Sequence, residues 1–173
     1  MFNWLENNPI ANWVASSSWA YPFLLTAHGL GMAVVVGLTA VIALRILGFP
    51  RRAPLGAYKG LMGYLLAGFL VNAGSGAVLF LADPVALAAN LSFQIKMASI
   101  VVGVIVLWRM HVKVLVPAAA AEAPVAQGSV AADGVSIFAP PRSAKALAIA
   151  AVLIWWLSVI VSGRLVAYLS QAA

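Results

Sequence analysis

The chain has 173 residues, of which 64% are hydrophobic and only 8% charged, and it contains no cysteine. So little charge cannot cover the surface of a soluble domain, and the lack of thiols excludes disulfides, thiolate nucleophiles, iron–sulfur clusters and thiolate zinc sites. The net charge of +6 is read as the basic flanks of membrane helices rather than as a nucleic-acid surface.

A bilayer core of about 30 Å takes about 20 apolar residues per crossing helix. The sequence holds four such runs and little else. The expected fold is an all-α membrane protein: one domain, a four-transmembrane-helix bundle with a short interfacial helix at its N-terminus. Met1–Asn8 has no basic n-region and contains Glu6, so it does not read as a cleaved signal peptide. Asn8-Pro9 is a helix start, with Asn as cap and Pro in the first turn. Pro9–Ser17 is too short and too polar to span. Trp4, Trp13 and Trp19 punctuate this region. Tryptophan prefers the headgroup level, so this helix is expected to lie on the membrane surface.

The first span is predicted over 22–47 and ends at Gly48-Phe49-Pro50. The second covers 58–81. Asp83-Pro84 opens a short capped segment reaching Asn90, and Ser92 is expected to cap a third span over 92–116. Residues 117–142, rich in Ala, Pro and Gly, read as a flexible cytoplasmic loop. The fourth span is predicted over 145–169. Arg45, Arg51, Arg52 and Lys59 gather at the first connection, and Arg109, Lys113, Arg142 and Lys145 at the third. Both connections are therefore expected in the cytoplasm, and both termini outside. Small residues recur at helix-packing spacing: Gly29/Ala33/Gly37, Gly56/Gly60, Gly63/Ala67, Ser99/Gly103 and Ser158/Ser162. Such lines let helix backbones approach closely in lipid.

Polar groups inside a membrane are costly and call for partners. His28, Asn72, Ser75, Lys96, His111 and Arg164 are the candidates, and no Asp or Glu falls within a predicted span, which argues against a proton-coupled pump. At about 1.5 Å per residue, His28, Lys96, Met97 and Arg164 fall in the outer third of the bilayer, with Asn72 and Ser75 in the outer half. His111 lies roughly 15–20 Å deeper by the same rise, so the two histidines cannot ligate one haem. His111 reads as an interfacial histidine in a basic collar. Met32 is on the His28 face, four residues on. His with thioethers suits Cu(I), and His/Met suits haem iron, with Arg164 and Lys96 then neutralising propionates. The plain alternative is that His28 bonds Asn72, Ser75 or a carbonyl across the bundle, that the methionines only pack, and that Arg164 and Lys96 pair with Glu6, Asp83 or lipid phosphates. Asn72-Ala73-Gly74-Ser75-Gly76 is either a broken segment or a close-packing crossover. Phosphate loops, metalloprotease histidine pairs and nucleophile elbows are missing.

Ser18-Trp19-Ala20-Tyr21-Pro22, His28-Gly29-Leu30-Gly31-Met32, Arg45-Ile46-Leu47-Gly48 and Gly163-Arg164 with Tyr168 resemble a family of small bacterial four-helix membrane proteins, a domain of unknown function. The resemblance covers most of the chain outside 117–142. It implies a four-span bundle in a bacterial inner membrane and carries no activity or cofactor.

From the residues themselves, the leading expectation is a membrane redox or electron-transfer subunit with haem b or copper at His28. It would pass electrons to or from a partner or quinone. The cofactor-binding candidates are His28, Met32, Met97, Lys96, Arg164, Asn72 and Ser75, with His28 as the metal ligand and no catalytic residue named. The alternatives are a non-enzymatic assembly or anchoring subunit, in a larger membrane complex or a homo-oligomer, and a small anion transporter or channel using Arg164 and Lys96. The lipid bilayer is an expected partner; nucleic acid is not.

Overall fold

The structure, a computed structural model, describes residues 9–49, 53–82, 84–126 and 140–160, and every regular element among them is helical. α1 is Pro9–Ser16 and α2 is Ala20–Leu47. A 3₁₀ turn over Leu55–Gly60 leads into α3, Leu61–Ala82. The short α4, Pro84–Ala89, precedes α5, Leu91–Met110. A π turn, His111–Leu115, joins α5 to α6, Val116–Ala126, and α7 is Arg142–Ile160. Three helical runs are long and apolar enough to cross a membrane: Ala20–Leu47, Leu55–Ala82 and Leu91–Glu122. Three such helices are consistent with a membrane protein. The expected fourth span corresponds to α7, and its predicted stretch beyond residue 160 lies outside the described residues.

The ends of α2 follow from local chemistry. The Ser17 hydroxyl accepts from the Ala20 amide at 3.2 Å, and Gly48 closes the helix with φ +110°. Its amide bonds to the Arg45 carbonyl at 3.1 Å, while the Phe49 amide reaches back to Leu44 at 2.9 Å. This is a Schellman ending, and the left-handed residue it requires is nearly strain-free only for glycine. Arg45 is buried in the last turn, where a cation complements the carbonyl end of the helix dipole. Its Nε donates to the Ala53 carbonyl at 2.5 Å, which folds the connection back onto α2.

α2 is the hub. It packs most extensively against α3 and also along α7, while α7 packs against α5. The core lies toward the end of the bundle that carries the connections. There Ile42, Ile46, Leu55, Met110, Leu115 and Ala148 have no measurable exposure. At the opposite end α1 packs on α3 and buries Val14.

Small residues do bring α2 and α3 together, but not the predicted ones. A Cβ at Gly31 would stand 2.7 Å from the Asn72 amide nitrogen and the Gly68 carbonyl oxygen, and one at Gly68 would meet Val34 at 2.7 Å. A Cβ at Gly29 or Gly37 would meet nothing within 4 Å, and Ala33 is exposed. The reason is angular. The buried stripe of α2 runs through Gly31, Val35, Thr39, Ile42 and Ile46, and a residue two positions away points about 200° around the helix. Gly60 and Gly63 likewise face open space, and Ala67 is exposed. Gly56, packed on the Ala119 backbone, Gly103, packed on Trp155, and the buried Ser158 do mark packing faces. Ser162 lies outside the described residues.

One open alternative is decided, and two other expectations need correction. α3 runs unbroken through Asn72–Gly76, so the crossover alternative holds: Gly76 gives room to a neighbouring ring instead of interrupting the helix. The cap of α5 is Asn90, whose Oδ1 accepts from the Ser92 amide at 2.9 Å, with Ser92 itself buried inside the first turn. Residues 116–126 are helical and not loop. Their alanine content favours helix. Pro117, which cannot donate to the helical ladder, follows directly on a π turn in which the Val116 amide bonds to the His111 carbonyl. That wider turn re-routes the backbone bonds that proline would otherwise break.

Candidate functional site: a histidine and a lysine joined across three helices

His28 lies two turns into α2, on the side facing α3. Its Nδ1 is 2.9 Å from the Asn72 carbonyl oxygen and 3.3 Å from the Ser75 hydroxyl. In return, the Asn72 side-chain amide donates to the His28 carbonyl at 2.8 Å. The two residues thus bond reciprocally across the helix pair. Asn72 and Ser75 are both buried, and Ser75 donates its own hydroxyl proton to the Val71 carbonyl at 2.6 Å. A carbonyl can only accept, so the His28 proton sits on Nδ1 and the lone pair on Nε2. Gly76 makes the approach possible, because a Cβ there would stand 2.9 Å from Cε1 of the ring.

Nε2 points toward α5. There the Lys96 ammonium donates to it across 3.2 Å, with both side chains half-buried. A lysine ammonium has three donors, and one is spent on the ring. Among the described residues the only carboxylate is Glu122, which is bound at the other end of the molecule. One turn beyond the pair, Phe80 of α3 and Phe93 of α5 stack with centroids 5.4 Å apart. Phe93 precedes Lys96 by three residues and Phe80 follows Gly76 by four, so the stack lies over the same helix faces.

The structure therefore brings together His28, Asn72, Ser75 and Lys96 from three helices. Met32 is half-buried one turn along α2 from His28, and Met97 is largely exposed, 47%, turned aside from the Lys96 direction on α5. Arg164, with Gly163, Tyr168, Glu6 and Asp83, lies outside the described residues. Among the described residues no group of three or more His, Cys, Asp or Glu side chains converges as a metal site would require.

His111 is separate. It follows Lys96 by fifteen positions in one continuous helical run, about 22 Å along the axis. It is half-buried at the start of the π turn, and its Nδ1 has no hydrogen-bond partner among the described residues.

Sequence reading missed the role of Glu122. Its carboxylate accepts from the Leu55 amide at 3.2 Å and the Gly56 amide at 2.7 Å, binding the first N–H groups of the 3₁₀ turn. The signal was available: Glu122 is an isolated acid in an alanine-rich stretch, but that stretch reads as loop by composition. The Phe80–Phe93 stack had no comparable signal, because its partners are ordinary span residues.

No known family, curated protein or solved structure matches this chain.

Proposed function

We propose that this protein is a four-span membrane protein whose outer half binds an anionic group at Lys96 and His28. α7 is the fourth span. The basic connections face the cytoplasm of a bacterial inner membrane, and His28 lies toward the opposite surface. The observation that carries this reading is the 3.2 Å contact between the Lys96 ammonium and Nε2 of His28. The ring neutralises no charge, and two ammonium donors remain free of the ring. A cation in apolar surroundings needs a counter-charge. Two unit charges about 4 Å apart attract by about 4 kcal/mol at an effective dielectric of about 20. An acidic ligand meets that need where Asn72 and Ser75 have already fixed the ring.

The electron-transfer reading with haem b or copper is second, and one observation favours it. Histidine ligands commonly hold their other ring nitrogen on a backbone carbonyl, as His28 does on Asn72. It requires Lys96 to leave Nε2, and the adjacent ammonium opposes a metal cation by the same Coulomb interaction that favours an anion. Service as an assembly or anchoring subunit is compatible with either reading.

The test uses the full chain in mild detergent, titrated with sodium phosphate and sodium acetate at constant ionic strength while the unfolding temperature is followed. A saturable rise in the wild type and none in Lys96→Gln is expected. An absorption spectrum of the same sample separates the readings: a Soret band lost in His28→Ala, with no response to either anion, replaces anion binding with the redox role.

A further inference from the structure

At the opposite end of the molecule a groove of about 460 Å³ opens between the end of the α5 rod and the start of α7. Arg109 and Lys113, four positions apart and hence on one face, line it from one side, with Val114 beside them. From the other come Ser143 in the first turn of α7, and Leu147 and Ala150 farther along it. Arg109 and Lys113 are exposed, and no ion pair to either is found among the described residues. The groove is thus cationic and hydroxyl-lined at one end and apolar at the other. Its polar end sits at the level of the connections and its apolar end follows α7 toward the middle of the bundle.

We propose that this groove holds one acidic phospholipid, with its phosphate between Arg109, Lys113 and Ser143 and an acyl chain along Leu147 and Ala150. The groove complements such a lipid in both charge and polarity gradient. A free phosphate would use only the cationic end. An uncharged hydrocarbon would use only the apolar end. A lipid phosphate with its chain matches both, at the depth where headgroups lie when basic flanks face the anionic leaflet. Ser143 supplies a hydroxyl that can donate to a phosphate oxygen. The site is independent of the His28–Lys96 pair, lying about 20 Å away along the α5 rod, and it does not depend on the function assigned there.

Retention of lipid by the full chain in mild detergent tests this, read by native mass spectrometry and by the unfolding temperature after adding phosphatidylglycerol or phosphatidylcholine. The wild type is expected to retain one phosphatidylglycerol and to be stabilised by it over phosphatidylcholine. In the double variant R109Q/K113Q the apparent affinity is expected to fall roughly 30-fold, two protein cations that face the headgroup being removed. The double variant R142Q/K145Q, which removes two exposed cations that do not line the groove, is expected to keep the preference. Equal loss in both double variants would reduce the site to a diffuse basic collar and overturn the proposal. So would full competition by millimolar inorganic phosphate, which lacks a chain. Should R109Q/K113Q prove unstable, Leu147→Trp, which fills the apolar end and leaves both cations in place, is expected to weaken retention; unchanged retention in it also overturns the proposal.

Discussion

At Gly76 the absence of a side chain is what seats the imidazole of His28. A methyl group there would come within 2.9 Å of Cε1 and 3.2 Å of Nδ1, closer than unstrained contacts allow. Gly76→Ala must therefore turn the ring off the Asn72 carbonyl or push α3 away, at a cost of about 1–3 kcal/mol for an overpacked site. The expected outcome is a lower unfolding temperature together with loss of the anion-dependent rise. Gly74→Ala, two positions away and facing nothing within 4 Å, leaves both unchanged. Loss of stability with full retention of the anion response would show that ring placement and binding are unconnected. The polar residues of this site were legible in the sequence because each is conspicuous against an apolar background. Their separate placements on the hydrogen-bond network were not, since which nitrogen of His28 meets which partner depends on helix rotation, which spacing alone does not supply.

Helices here are joined by stripes, and the choice of stripe decides which small residues matter. Gly31 and Gly68 stand where α2 and α3 pack together, and a Cβ added at Gly31 meets backbone atoms of α3 that cannot swing aside as a side chain can. Gly31→Ala is expected to separate the two helices and to destabilise the protein by about 1–3 kcal/mol, whereas Gly29→Ala is expected to be neutral or slightly stabilising, since alanine is the better helix former. Unfolding midpoints of the two variants in the same detergent check the contrast, and equal effects would contradict the assigned face. Sequence reading found that small residues govern the packing yet chose the wrong line on α2. The spacing of four was present in Gly29, Ala33 and Gly37, but the apolar residues of a lipid-facing stripe look like those of a buried one, so composition does not reveal which side faces protein. Helix boundaries were read within a few residues where glycine or proline punctuates, as at Gly48, and failed over 117–126. There alanine favours helix while proline counts toward a loop, and the π turn that reconciles them has no compositional mark.

Across the whole molecule, one carboxylate joins segments more than sixty positions apart. Glu122 holds the Leu55 and Gly56 amides, while Gly56 rests on the Ala119 backbone. The first connection is thereby fastened to the far end of the α5–α6 rod. Glu122→Gln removes the charge that strengthens these bonds and is expected to cost about 1–2 kcal/mol. The measurement is amide hydrogen exchange: protection at Leu55 and Gly56 should fall while protection in the middle of α3 persists. Uniform loss throughout α3 would indicate global destabilisation instead. That the connection end is knit by buried apolar residues, and the opposite end by His28 and Lys96, divides the bundle into an apolar half and a polar half. The first was readable as apolar bulk. The second was readable as a layer of shared height, of which Lys96 and His28 are joined in space.

The extra residue in the π turn acts as a phase corrector for the rod it interrupts. Twenty-six positions separate Lys96 from Glu122. In an unbroken α-helix, at about 100° per residue, they would point roughly 80° apart, while one residue absorbed by the wider turn brings them to within about 20°. A single continuous rod can thus present its cation to α2 at one end and its carboxylate to the first connection at the other. Regularising that turn to plain α-helix without removing a residue would leave both groups intact but swing them about 80° apart, toward different neighbours.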